Sequence, residues 1–162
     1  MKRIGAMIFC VTVFSIFFLT NSVNADVRKD QNKESVIEGL VNEAAGLIET
    51  KGKPALNIIE DKNGKFCTKD TYVFVTSGET GADLINPAFQ EIEGMPAENY
   101  SNPDTKAAQA MIVNAVKDKD TAWIEYLWPK PGETKPSKKR AYLKKIVING
   151  KTRIVGAGFY ID

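Results

Sequence analysis

An α+β fold, with a five-stranded antiparallel sheet and helices segregated around it, is what this sequence predicts. Three observations carry the prediction. Residues 121–160 hold three runs rich in β-branched and aromatic side chains, Ala122–Trp128, Lys138–Ile148 and Lys151–Tyr160. Two shorter runs of strand formers, Thr71–Thr76 and Asp83–Asn86, come before them. From Ser35 onward, Ile37, Leu40, Val41, Ala44, Leu47 and Ile48 recur at the spacing of one helix face.

In chain order, Lys2-Arg3 precedes an apolar run from Ile4 to Leu19 and the small-residue end Val23-Asn24-Ala25. That order is expected of a secretory signal peptide cleaved after Ala25, so 1–25 is assigned as signal peptide and 26–162 as one domain. The apolar run is short for a bilayer span. Asp26–Asn32 is charged and is expected to fray. The amphipathic helix follows, with the small residues Ala44, Ala45 and Gly46 near its middle, and Lys51-Gly52-Lys53-Pro54 breaks it. Pro54 suits the first turn of a second, shorter helix through Leu56, Ile58 and Ile59, which Asn63-Gly64 ends. Ser77–Gly81 reads as a turn between the two short strands. Pro87–Asp104, with three prolines and Gly94, reads as a long ordered loop with a helical turn, a length often functional in a compact domain. Pro103 and Asp104 start a helix that runs to Val116.

The last three runs form a meander. Asn149-Gly150 is a strong hairpin signal because both central residues of a type I′ turn need positive φ. With those two in the turn, Ile148 faces Lys151, Ala141 faces Gly158 and Lys139 faces Tyr160. One face then carries Val147, Leu143, Ala141 and Lys139 beside Ile154, Gly156, Gly158 and Tyr160. Glycine inside a strand marks a place where another backbone or a ligand comes close. This shallow floor fits either a small molecule or a tightly packed helix; composition favours the helix, with Ala44-Ala45-Gly46 as its partner stretch.

Totals exclude several functions. Loss of residues 1–25 removes two of 22 basic residues and none of 20 acidic ones, leaving a near-neutral chain that argues against a nucleic-acid partner. The remaining residues suffice for a core without disulfides. Only Cys67 remains after cleavage, read as a buried structural cysteine, with a free thiol or an intermolecular pair as alternatives. The chain has no histidine, which removes histidine-based triads and most zinc sites. No nucleophile and base pair stands out. No enzyme, no metal and no cofactor is expected.

The order Ala45-Gly46-Leu47-Ile48 with Gly52, Tyr72-Val73-Phe74-Val75, Asn86-Pro87, the block Trp123-Ile124-Glu125-Tyr126-Leu127-Trp128-Pro129-Lys130-Pro131, Lys139, Tyr142 and Val155-Gly156-Ala157-Gly158-Phe159-Tyr160 resembles the single Cache domains of the second type. The W-x-x-Y-x-W-P-x-P block followed by G-x-G-x-Y is its most specific part. The resemblance implies an extracytoplasmic PAS-like sensor fold: a long helix on one face of the sheet and a small-molecule pocket on the other, under the loops. Many such domains bind short organic acids. Family members often carry a histidine where Asn86 stands, so the chemistry of that pocket edge is expected to differ here. With Asp162 two residues past the last strand, the chain is expected to act without its own signalling module and to work periplasmically or as a secreted protein.

The candidate ligand-binding residues are Tyr72, Phe74, Asn86, Tyr126, Trp128, Lys139 and Tyr142. Tyr72 and Phe74 share a strand face, where core packing competes with pocket lining. Trp123 and Trp128 lie on opposite faces of a regular strand. Trp123 reads as core, and Tyr126 and Trp128 as pocket wall. Lys139 occupies the family's lysine position, and a cation beside an aromatic wall can hold a carboxylate by a charge-assisted hydrogen bond. Tyr142 points to the opposite face in this register, so Lys139 and Tyr142 cannot both be ligands unless the strand bulges. For Asn86 the family position implies a hydrogen bond to the ligand, and a plain turn role before Pro87 explains it nearly as well. The expected partner is a small organic ligand, most simply a short carboxylate, with a membrane receptor or kinase as a further partner. The alternative is an interaction protein whose pocket has closed and which docks on a membrane receptor.

Overall fold

The computed structural model describes residues 13–69 and 71–161, with side chains from Lys29 on. The chain divides into two compact units, residues 1–34 and 35–162. Helix α1 (Val13–Lys51) begins in the first and continues into the second. The signal-peptide reading of 1–25 lies outside the described residues as far as residue 12. From Val13 the backbone is helical, so Asp26–Asn32 is helix and not a frayed segment. The correction has a simple cause: no proline or glycine stands between Ala6 and Glu38 to stop a helix once it has started. Among the described residues, no helix is long and apolar enough to cross a membrane.

In the second unit α1 ends where Gly52 takes φ 62° and its N–H returns to the Ile48 carbonyl at 2.9 Å. Helix α2 (Lys53–Glu60) follows with Pro54 in its first turn. Strands β1 (Val73–Ser77) and β2 (Asp83–Ile85) come next. Two short 3₁₀ turns, Gln90–Ile92 and Ala97–Asn99, order the long loop. Helix α3 (Pro103–Ala115) is capped by Asn102, whose Oδ1 accepts from the Asp104 N–H at 2.8 Å. Strands β3 (Thr121–Pro129), β4 (Pro136–Ile148) and β5 (Lys151–Tyr160) close the chain.

The five strands form one sheet in the order β2-β1-β5-β4-β3, and every pairing is antiparallel. This is the α+β architecture expected from the sequence. The predicted register holds without a bulge: Ile148 pairs with Lys151, Ala141 with Gly158 and Lys139 with Tyr160. Asn149 and Gly150 take φ 51° and 73°, the conformations that the turn requires.

Because side chains alternate along strands, the sheet has two unlike faces. On one, Ile37, Val41, Ala44, Ala45 and Ile48 of α1 pack with Val73, Val75, Val155, Ala157 and Phe159, with Trp123 and Tyr142 at the margin. On the other, Tyr72, Phe74, Tyr126, Trp128, Ala141, Leu143 and Ile154 pack with Ala108, Ile112 and Val116 of α3 and its C-terminal turn. The glycine floor belongs to this second face. Ala44-Ala45-Gly46, the expected partner stretch, therefore does not cover it; the helix on this face is α3, and a Cβ on Gly156 would run into the Phe74 ring and the Leu143 side chain. The row Phe74, Gly156, Leu143, Ala122 crosses the sheet, and the missing side chain at its second position makes room for the aromatic ring of its first.

Candidate functional site

The second face carries the chemistry. Tyr72 and Phe74 come from β1 and the residue before it, Asp83 and Asn86 from β2 and the residue after it, and Tyr126 and Trp128 from β3. Together with Gln109 and Ile112 of α3 they line a small cavity of about 10 Å³. That is room for roughly one water. Phe89, on the loop after β2, packs edge-on against both Tyr72 and Trp128, with ring centroids 6.0 Å apart in each case. Beyond it lies an outer cleft of about 620 Å³, lined by Phe89, Ile92, Met95, Tyr100, Trp128 and Glu133 among others. Phe89 lines the outer cleft, and Trp128 lines both the cleft and the inner cavity.

Lys139 is buried, with 1% of its surface exposed. It does not wall the cavity itself. Its ammonium lies over the Tyr72 ring, 3.8 Å from the centroid, with the Phe74 and Tyr160 rings at 5.6 and 5.5 Å. Aromatic faces stabilise a cation, but by less than water does. Burial accordingly pushes the Lys139 amine down to about 7, against the opposing pull of Asp83. Asp83 is also buried, and burial raises its carboxyl although Asn86, Thr76 and Gln109 donate to it. Burial likewise holds the Tyr72 and Tyr126 hydroxyls well above the ordinary phenol range.

Four buried polar atoms in this region have no hydrogen-bond partner among the described residues: Asn86 Oδ1, Gln109 Oε1, Trp128 Nε1 and Lys139 Nζ; the Tyr72 hydroxyl, also buried, meets the Tyr160 side chain. An open buried donor or acceptor costs roughly 1–3 kcal/mol. Their gathering on one side of one sheet is unlike a finished core, where buried polar groups are paired.

Six of the seven residues predicted for the site, Tyr72, Phe74, Asn86, Tyr126, Trp128 and Lys139, are buried on this face. Tyr142 is on the other, with its ring 5.4 Å from Trp123. Trp123 there donates from Nε1 to Glu38 Oε1 at 2.9 Å. Since β4 pairs regularly with both neighbours across this stretch, no bulge brings Tyr142 round to Lys139. The sequence reading passed over Asp83, Phe89, Gln109 and Ile112. Asp83 left a signal, as the one acid within Ala82–Ile85, and so did Gln109, three residues before Ile112 on the buried face of α3. Cys67 forms a backbone β-bridge with Tyr72 at the edge of the region and is half-buried, not fully buried as the sequence suggested; its thiol is free, and burial pushes its ionisation up, away from reactivity.

Residues 31–162 match the family model described as Cache domain. A curated relative, the methyl-accepting chemotaxis protein McpP of Pseudomonas putida, is 28% identical over 79 residues, which are 49% of this chain and 14% of that protein. The chain therefore spans a small part of that relative's length. Among solved structures, a Cache chemosensory domain described for its carboxylic acid recognition is similar over 86% of this chain and 97% of its own, with TM-score 0.61 and 24% identity. The periplasmic sensor domain of a chemotaxis protein covers 84% of this chain and 97% of its own, with TM-score 0.62 and 21% identity. A methyl-accepting chemotaxis protein from Vibrio parahaemolyticus covers 86% and 96%, with TM-score 0.67 and 16% identity. At these identities the structural likenesses establish the shared fold. With the family match running across the whole second unit, the chain belongs to the Cache domain family, a family of ligand-binding, extracytoplasmic sensory domains.

Proposed function

We propose that this Cache domain senses a short carboxylate, bound between Trp128 and Lys139 after Phe89 swings aside. The observation that carries the reading is the set of buried polar atoms without partners around Lys139 and the small cavity. A carboxylate gives the Lys139 ammonium and the Trp128 N–H the acceptor that each lacks, by charge-assisted and neutral hydrogen bonds respectively. The carboxylic acid recognition described for a structurally similar Cache domain supports the same class. The binding is non-catalytic, the domain acts on the outer side of the membrane after loss of residues 1–25, and it reports to a membrane receptor.

One observation favours the second reading, an interaction protein with a closed pocket: the inner cavity holds only about 10 Å³. A thermal-shift screen against short organic acids, amino acids and amines separates the two. At a hundredfold excess over Kd, a true ligand adds roughly 2.7 kcal/mol, on the order of 5–10 °C in melting temperature. Silence across the whole screen leaves the closed pocket as the answer.

The position of Lys139 adds a pH test. Its folded value, about 7, is depressed from 10.5, so its contribution to stability is present in full above 10.5 and is lost as pH falls through 7. From this group, the free protein gains stability as pH rises from 7 to 10.5. Carboxylate binding needs the ammonium, so above pH 7 it must take up a proton and weakens by up to about tenfold per pH unit. Asp83, Tyr72, Tyr126 and Tyr160 surround the amine, and burial raises Asp83, Tyr72 and Tyr126 above their ordinary values. Calorimetry in two buffers of unlike ionisation enthalpy counts the proton, and zero uptake at pH 8 removes Lys139 from the binding step.

A further inference from the structure

The Asp83 carboxylate accepts from three neutral side chains: Thr76 Oγ1 at 2.8 Å and Gln109 Nε2 at 2.9 Å on one oxygen, and Asn86 Nδ2 at 2.8 Å on the other. An ionised carboxylate can only accept hydrogen bonds. Both amides must therefore turn their NH₂ groups to it, which leaves both carbonyl oxygens to find partners elsewhere. Neither does: Asn86 Oδ1 and Gln109 Oε1 are buried without one, and both residues line the inner cavity. On the β3 and β4 side stand the donors Trp128 Nε1 and Lys139 Nζ, equally open. The region thus offers donors from one set of elements and acceptors from another.

We propose that Asp83 is a positioning residue which locks Asn86 and Gln109 as a pair of acceptors, so that the site selects a short carboxylate bearing a hydroxyl over the same acid without one. The inference rests on the carboxylate reading above and names what the rest of the ligand must be. The carboxylate takes Trp128 and Lys139, and the hydroxyl donates its single proton to one of the two amide oxygens. A plain acid fills the same space and leaves both acceptors unpaired, so the difference between the two acids is the desolvation penalty of at least one buried carbonyl. An ammonium in place of the hydroxyl needs three acceptors where two stand open, and its burial costs far more than that of a neutral group. Amino acids are thereby disfavoured, although a carboxylate lies close by.

Calorimetric titration of the full chain with 2-hydroxypropanoate, propanoate and alanine tests this. The hydroxy acid is expected to bind at least about tenfold tighter than propanoate, and alanine more weakly than both. Equal affinity for the two acids overturns the role of Asp83 and leaves the carboxylate reading standing. Tighter binding of alanine also overturns it, by showing that a charged donor is preferred. If none of the three binds, the carboxylate reading fails and takes this one with it. Asp83→Asn supplies the second arm. Its amide can donate, so Asn86 and Gln109 are free to flip, and the preference for the hydroxy acid should fall to within about twofold while propanoate is still bound. A Asp83→Asn variant that keeps the wild-type ratio excludes the positioning role. The wild-type ratio needs no variant, so a folding failure of Asp83→Asn leaves the proposal fully exposed to disproof.

Discussion

Lys139→Met raises the melting temperature of the unliganded protein and removes its response to short carboxylates. The two effects have one source. A buried amine whose ionisation is pushed from 10.5 to about 7 carries a penalty on its charged form of roughly 4–5 kcal/mol. Methionine has similar length, no charge and a sulfur suited to the Tyr72, Phe74 and Tyr160 rings that surround the position. Part of the gain is lost, because Asp83 then has no cation nearby, so the expected net change is about 1–4 kcal/mol in favour of folding. Lys139→Arg is the control. A guanidinium stays charged at every accessible pH and is larger, so this variant melts lower than wild type. A Lys139→Met variant that melts lower than wild type and still shifts with carboxylate shows that the lysine stabilises the fold and has no part in binding. Stability sacrificed at one buried charge is the pattern expected of a site kept for a ligand.

Gly158→Ala should be among the most destabilising single substitutions in the sheet. A Cβ at this position meets the Arg140 carbonyl oxygen and the Ala141 Cα, both backbone atoms of the paired strand. A side-chain tip can rotate away, but backbone held by the β4–β5 ladder cannot move without breaking its hydrogen bonds. The expected loss is about 2–3 kcal/mol, or on the order of 10 °C in melting temperature. Gly39→Ala is the matching control. It adds the same methyl group in mid-helix, with nothing within 4 Å of the new atom, and should raise stability by about 0.5–1 kcal/mol. Equal melting temperatures for the two variants contradict the close approach at Gly158.

Much of the fold could be read directly because its signals are local. Asn149-Gly150 admits one tight turn, and a turn sets the register of both strands it joins, so Ala141 opposite Gly158 follows by counting. Asn102-Pro103-Asp104 starts α3 by a hydrogen bond two residues long. The extent of α1 was misjudged for the opposite reason. Charge in Asp26–Asn32 suggested fraying, but charged side chains do not stop a helix in a stretch without proline or glycine, and α1 runs through it.

The site was legible as a face and obscure as a network. Alternation alone separates Trp123 and Tyr142 from Tyr126, Trp128 and Lys139. It says nothing of Phe89, whose place against Tyr72 and Trp128 depends on how a loop folds back. Asp83 and Gln109 lie 26 residues apart on a strand and a helix, and their 2.9 Å contact has no trace in spacing.

The amino-acid order by itself determined the five strands, their meander and hairpin register, the helix that lies on the sheet, and the segregation of aromatic side chains to two faces. These rest on periodicity and turn stereochemistry, which act over a few residues. Only the tertiary structure decided which face the glycines open onto, how small the inner cavity is, and that a buried carboxylate holds two amides with their oxygens unspent. Those depend on groups brought together from β1, β2, α3, β3 and β4, and burial strengthens electrostatic and hydrogen-bonding effects only after that assembly has excluded water.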